Sequence, residues 1–207
     1  MIRFFSVIAL LLVLFSCRQQ QRSSGPAVTL PPITSGHASP AINPYATVDI
    51  SPMDMSYWPL DYPKRRLTGE LTTPPLARVI YSRPHLQGRT LFTDILQYEQ
   101  LWRLGANEAT ELQLFNDALI ENQPVKAGRY TMYCIPHRDT WTFILNSTTD
   151  IWGVQQEHST DMLRFEVPVI NTGMALEYFT MVFKEKEDKA ELVVAWENLE
   201  ARVQFKF

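Results

Sequence analysis

The last six residues alternate strictly: Val203, Phe205 and Phe207 are apolar, while Arg202, Gln204 and Lys206 are polar. That period of two marks a strand with one buried face. Comparable apolar runs, bounded by turn-forming residues, predict strands at 76–82, 109–115, 118–121, 129–135, 141–145, 162–170, 176–184 and 191–196. Asn116-Asp117 and His137-Arg138-Asp139 supply turns between neighbours. Only residues 94–104 carry a helical pattern. Ile95, Tyr98, Leu101 and Trp102 share one face, Asp94 with Gln97 can cap it, and Gly105 ends it. Lys184, Lys186 and Lys189 form a charged turn suited to protecting a sheet edge. So many short strands predict an all-β fold, an antiparallel β-sandwich of about eight to ten strands with one short helix. A partly open β-barrel is the alternative.

The N-terminal quarter follows a different pattern. After Arg3, residues 4–15 are apolar apart from Ser6, which is signal-peptide length and short of the ~20 residues a spanning helix needs. Leu14-Phe15-Ser16-Cys17 resembles a bacterial lipobox. On that reading residues 1–16 are a lipoprotein signal peptide and Cys17 is the lipid-bearing N-terminus; an ordinary secretory signal or a non-cleaved anchor is the alternative. A diacylglyceryl group with a further amide-linked chain anchors nearly permanently, whereas one acyl chain binds a membrane reversibly. Residues 17–50 are rich in Gln, Ser and Pro, with Pro31, Pro32, Pro40 and Pro44 opposing regular structure. They are predicted to be a disordered tether reaching on the order of 30 Å as a coil and about 100 Å as polyproline II. Residues 51–75 are too apolar for a solvated linker, through Met53, Met55, Tyr57, Trp58, Leu60 and Tyr62, and Pro59 and Pro63 forbid a long helix. An irregular segment laid onto a domain spanning 51–207 is expected. The predicted location is the cell envelope, tethered to a bacterial membrane on its periplasmic or outer-surface side.

Charge and cysteine content narrow the possible chemistry. The 207 residues include 19 basic and 22 acidic ones, for a formal charge of −3, and loss of the leader removes Arg3. Without a concentrated basic face, a nucleic-acid partner is not expected. With Cys17 lipidated, Cys134 has no partner for a disulfide and reads as a small buried apolar residue within 130–135. HExxH, GxSxG, CxxC and Gly-rich phosphate loops are absent, and the four histidines are far apart in sequence. No metal or cofactor is predicted. His137-Arg138-Asp139 reads as a solvated turn. Ser82 with His85 lacks the third, orienting group a nucleophile needs.

One stretch carries more than packing. It comprises Tyr81-Ser82-Arg83-Pro84, then Gly88-Arg89, then Trp102-Arg103-Leu104-Gly105-Ala106-Asn107-Glu108-Ala109-Thr110. These residues resemble a bacterial family known as domain of unknown function 2911, whose members carry a YSRP…GR…WRxGANEAT pattern. Ala127-Gly128-Arg129-Tyr130, Trp141-Thr142, Trp152-Gly153 and Trp196-Glu197 also fit its rhythm. Many relatives have Thr where Leu104 stands. The resemblance covers roughly 51–207 and implies a β-rich extracytoplasmic domain of the kind common in Bacteroidetes lipoproteins. It implies no activity.

Read physically, Arg83, Arg89 and Arg103 are three cations beside one evident anion, Glu108, although Asp94 or Glu99 could supply a further negative charge; Asn107 is a neutral hydrogen-bonding partner, and Tyr81 or Trp102 can stack on a guanidinium. One reading is a structural Arg–Glu network, which with Ser82 would staple a loop over the sandwich. A second is a pocket in which surplus Arg charge meets a small anionic or carbohydrate ligand. A third is a small-substrate hydrolase using Glu108 as acid or base and Arg as oxyanion stabiliser. The chain thus reads as a membrane-anchored binding or structural protein, with the hydrolase as the alternative.

Overall fold

A computed structural model describes residues 51–154, 158–187 and 189–207. The segments expected as a leader and a tether, and Cys17 between them, all within residues 1–50, lie outside the described residues. The described chain forms β1 (Met53–Trp58), α1 (Tyr62–Leu67), β2 (Ala77–Ser82), β3 (Thr110–Leu114), β4 (Ala118–Ile120), β5 (Gln123–Val125), β6 (Gly128–Pro136), β7 (Thr140–Asn146), β8 (Asp161–Lys186) and β9 (Lys189–Lys206). All pairings are antiparallel, in the order β1-β2-β3-β6-β7-β8-β9-β4-β5. The ladder has two ends, β1 and β5, so it does not close into a barrel. This is the expected all-β sandwich.

β8 makes the sandwich from one ladder. Its first part pairs with β7 through Asp161–Pro168, and from Val169 to Lys186 it pairs with β9. Within the β9 pairing the register shifts twice, at Asn171/Leu176 and at Leu176/Thr180. Such irregularities bend a strand and increase its twist. The segments expected as separate strands at 162–170 and 176–184 are therefore one 26-residue strand. The segments at 191–196 and 202–207 likewise merge into β9. At the other side β1 comes up against the second part of β8. The Phe183 N–H donates to Ser56 Oγ at 2.9 Å, and the Phe179 N–H donates to the Pro84 carbonyl at 2.9 Å.

The interior follows the alternation. Ala77, Val79 and Tyr81 of β2, Leu112 and Leu114 of β3, and Val203 and Phe205 of β9 all face the core. At its centre the Trp102 ring lies 4.8 Å from Phe179 and 5.9 Å from both Trp141 and Trp196. Aromatic side chains bury roughly 150–250 Å² each, so at ~25 cal/mol per Å² this cluster is a main source of stability. Cys134 is fully buried, as expected, and burial pushes its thiol pKa well up.

Three expectations need correction. Residues 94–104 do not form a helix. A single wide turn at Leu91–Ile95 ends with the Leu96 N–H donating to the Leu91 carbonyl at 2.8 Å, and Asp94 accepts from the Thr90 N–H at 2.7 Å. Trp102 is instead extended, exchanging backbone bonds with Cys134 at 2.7 and 2.8 Å. The helical spacing of Tyr98 and Trp102 has another origin: Tyr98 stacks on Phe92 at 3.9 Å while Trp102 enters the core. Residues 51–75 are more regular than expected, because β1 pairs with β2 over Met53–Trp58 and Pro63 opens the short α1. Lys184, Lys186 and Lys189 flank the β8–β9 hairpin between interior strands, not a sheet edge; one true edge, β5, contains Pro124.

Candidate functional site

Residues 102–110 leave the core at Trp102 and return to β3 at Thr110, tied down along the way. Trp102 Nε1 donates to the Gly105 carbonyl at 3.3 Å, and Thr110 Oγ1 donates to the Leu104 carbonyl at 2.5 Å. Ser82 Oγ clamps Ala106 from both sides, accepting from its N–H at 2.7 Å and donating to its carbonyl. Gly105 is required by that closeness, since a Cβ there would lie 2.7 Å from Ser82 Oγ. Ser82, Trp102, Gly105 and Thr110 thus hold the segment in shape, and the polar groups it carries open into two different clefts.

The first cleft is basic. It has a volume of about 610 Å³ and is lined by Arg89, Arg103, Trp102 and Trp196, with the backbones of Gly105 and Gly153. Apolar groups of Ile95, Leu96, Leu101 and Val154 complete it, and no carboxylate occurs among its described lining residues. Arg89 is braced by its own turn, donating from Nε to the Leu86 carbonyl and from Nη2 to the His85 carbonyl, both at 2.9 Å. Arg103 differs. Its Nε is buried without an acceptor, and no hydrogen bond or ion pair reaches its guanidinium among the described residues. Its stem packs flat on Gly153, where an added Cβ would fall 2.2 Å from Arg103 Cδ. The Gly153 N–H donates to the Asn107 carbonyl at 3.2 Å, which fixes that contact. Trp196 Nε1 donates to the Glu177 carbonyl at 3.2 Å, and Glu197 accepts from the Leu91 N–H at 3.4 Å.

The second cleft is acidic. It has a volume of about 380 Å³ and is lined by Glu108, Glu111, Asp150, Arg129 and Trp152 among others. Arg129 Nη2 donates to Glu111 Oε2 at 2.7 Å and to Asp150 Oδ1 at 2.8 Å. The hydrogen bond from Arg129 holds the Asp150 carboxyl below its usual pKa, and these bonds push the Arg129 pKa up. Glu108 is exposed, and no hydrogen bond or ion pair reaches its carboxylate among the described residues. Asn107, at φ 61°, is where the chain passes from one cleft to the other.

The residues singled out in the sequence are therefore brought together only in part. Arg89, Trp102 and Arg103 share the basic cleft, while Glu108 lines the acidic one and pairs with none of the three arginines. The anion facing Arg83 is Asp54, at 3.2 Å, and the Arg83 guanidinium also sits 5.7 Å over the Tyr178 ring. Tyr81 lies behind the cleft against Phe179, its hydroxyl donating to Asp54 at 3.4 Å; burial, chiefly, raises its pKa to about 12. An acid or base at Glu108 acting with an arginine on one reacting atom is not assembled here. Trp196, Gly153 and Asp54 were not among the sequence-derived site residues. The Trp152-Gly153 and Trp196-Glu197 pairs were the available signal for two of them, and nothing in the sequence singled out Asp54.

The fold and the site together define a β-sandwich with a tryptophan-floored, arginine-lined cleft. The chain belongs to the DUF2911 family of proteins of unknown function, whose profile matches residues 63–205. Comparison with curated proteins and with solved structures finds no match.

Proposed function

We propose that this protein is an extracytoplasmic lipoprotein, anchored through lipid on Cys17, whose sandwich domain binds a small anionic ligand in the basic cleft. One observation carries the binding role. Arg103 is a cation with a buried, unpartnered Nε, in a cleft whose described lining offers it no carboxylate. Arg78 Nε, Tyr133 Oη and Trp141 Nε1 are likewise buried without a partner among the described residues, but Arg78 still donates from Nη2 to Gln113 and the other two groups are uncharged, so Arg103 is the one that calls for a cause of its own. A structural arginine is normally matched by a carboxylate or carbonyls, as Arg83 and Arg89 are. An arriving anion would compensate this one, with bidentate geometry available. A neutral carbohydrate fits less well, because apart from Ser51 and the two arginines the described lining lacks polar side chains.

The lipobox at Leu14-Phe15-Ser16-Cys17 supports the anchor. The Pro-rich stretch after it suits a tether. Binding is tested by a thermal-shift screen of organic acids, phosphates and acidic sugars. Stabilisation by anions but not by their neutral analogues supports the reading; no stabilisation by any anion removes it. The anchor is tested by labelled palmitate: wild type incorporates it and Cys17→Ser does not. A labelled Cys17→Ser protein would refute lipidation at that position.

A further inference from the structure

We infer that the ligand of the basic cleft is an amphipathic organic acid, a carboxylate carried on an apolar body, and not a bare inorganic anion. The inference rests on the anion-binding reading and specifies the rest of the ligand. The two arginines account for only part of the cleft. Its floor is the Trp102–Trp196 pair, with ring planes 25° apart. Leu101 and Val154 stand at the rim with 38% and 69% of their surfaces exposed, beside Ile95 and Leu96. The two tryptophans are themselves almost fully buried, so a phosphate or sulfate would engage the guanidinium groups and leave the apolar side chains above them, Leu101 and Val154 foremost, in water. An acyl or aromatic body would cover these side chains while its carboxylate met Arg103.

The volume, about 610 Å³, lies within the ~300–1,000 Å³ of small-molecule sites, and the lining is polar and apolar in about equal parts, which suits a ligand with a charged head and an apolar body. The placement of Arg103 suits that role. Its stem is held against Gly153 and the 153–107 hydrogen bond, so little side-chain freedom remains to be lost on binding.

The test is titration of the full-length protein, followed by tryptophan fluorescence, with 4-phenylbutyrate, decanoate, acetate, inorganic phosphate and 4-phenylbutyramide. Phenylbutyrate or decanoate is expected to bind at least ~10-fold more tightly than acetate or phosphate, the gain from sealing roughly 60 Å² of apolar surface. The neutral amide should not bind, and Arg103→Met should abolish the response. If acetate or phosphate binds as tightly as the larger acids, the apolar body is wrong and anion binding stands. If the amide binds as tightly as its acid, or no anion binds, both fall.

Discussion

The two clefts beside residues 102–110 are built from the same short segment and differ in almost every physical respect. The basic cleft is floored by the core: Trp102 is 6% exposed and touches Trp141, Phe179 and Trp196. The acidic cleft is walled by the surface: Trp152 is 51% exposed and belongs to neither core cluster. In the acidic cleft charge is largely self-matched, Arg129 answering Glu111 and Asp150. In the basic cleft Arg103 goes unanswered. A self-matched set of exposed ions needs no ligand to explain it and contributes little to stability. Arg103 is partly buried, with its Nε buried without an acceptor and no partner for its guanidinium among the described residues, which makes the basic cleft the better candidate site.

The two clefts differ most in what their tryptophans contribute to the fold. Trp102→Ala should cost about 3–5 kcal/mol in chemical denaturation, the usual loss for a buried aromatic. Trp152→Ala should stay within about 0.5 kcal/mol of wild type. Equal losses would mean that the acidic cleft is as much a part of the core as the basic one.

Tyr81, behind the basic cleft, sharpens the contrast through pH. Its folded pKa of about 12 lies above the ordinary value of 10.0, so its contribution is complete at neutral pH. As pH climbs through that interval the unfolded chain ionises first and stability falls, by up to roughly 2–3 kcal/mol from this residue. Urea unfolding between pH 9 and 12 should show a shallower alkaline loss in Tyr81→Phe than in wild type. Parallel curves would contradict the buried environment assigned to Tyr81.

Gly153 joins the two clefts, since Trp152 lines one and Gly153 the other. Gly153→Ala drives a methyl into the Arg103 stem and should cost ~1–3 kcal/mol as overpacking does. Urea unfolding measures that loss, and fluorescence titration should show anion affinity falling with it. An unchanged affinity would mean that the position of Arg103 is immaterial to binding.

Much of this was legible in the sequence, and the failures have physical causes. Alternation announced β2, β3 and the end of β9, which have one buried face, while β6 and β7, buried on both faces over most of their length, were legible as short apolar runs bounded by turn residues. It could not show that 162–170 and 176–184 are one strand, since a bend without a break leaves the same polar interruption as a turn. The helix expected at 94–104 arose from four apolar residues at helical spacing, two of which, Tyr98 and Trp102, serve different contacts. The site was half legible. Local motifs named Arg89, Trp102 and Arg103, but proximity along the chain suggested that Glu108 answered them. The reversal at Asn107 sends Glu108 to the other cleft, and Arg83 is matched by Asp54 from a strand 29 residues earlier. Pairings set by tertiary contact leave no trace in local spacing.

The central claim is that Arg103 serves a ligand and not the fold. It is tested most directly by the thermal shift that saturating 4-phenylbutyrate produces in wild type, Arg103→Met and Glu108→Gln. At a hundredfold excess over the dissociation constant the gain is about 2.7 kcal/mol, a rise of several degrees. That full rise is expected in wild type and Glu108→Gln. None is expected in Arg103→Met, whose unliganded melt stays near that of wild type. A rise of equal size in Arg103→Met, or a collapse of its unliganded melting temperature, would contradict the claim.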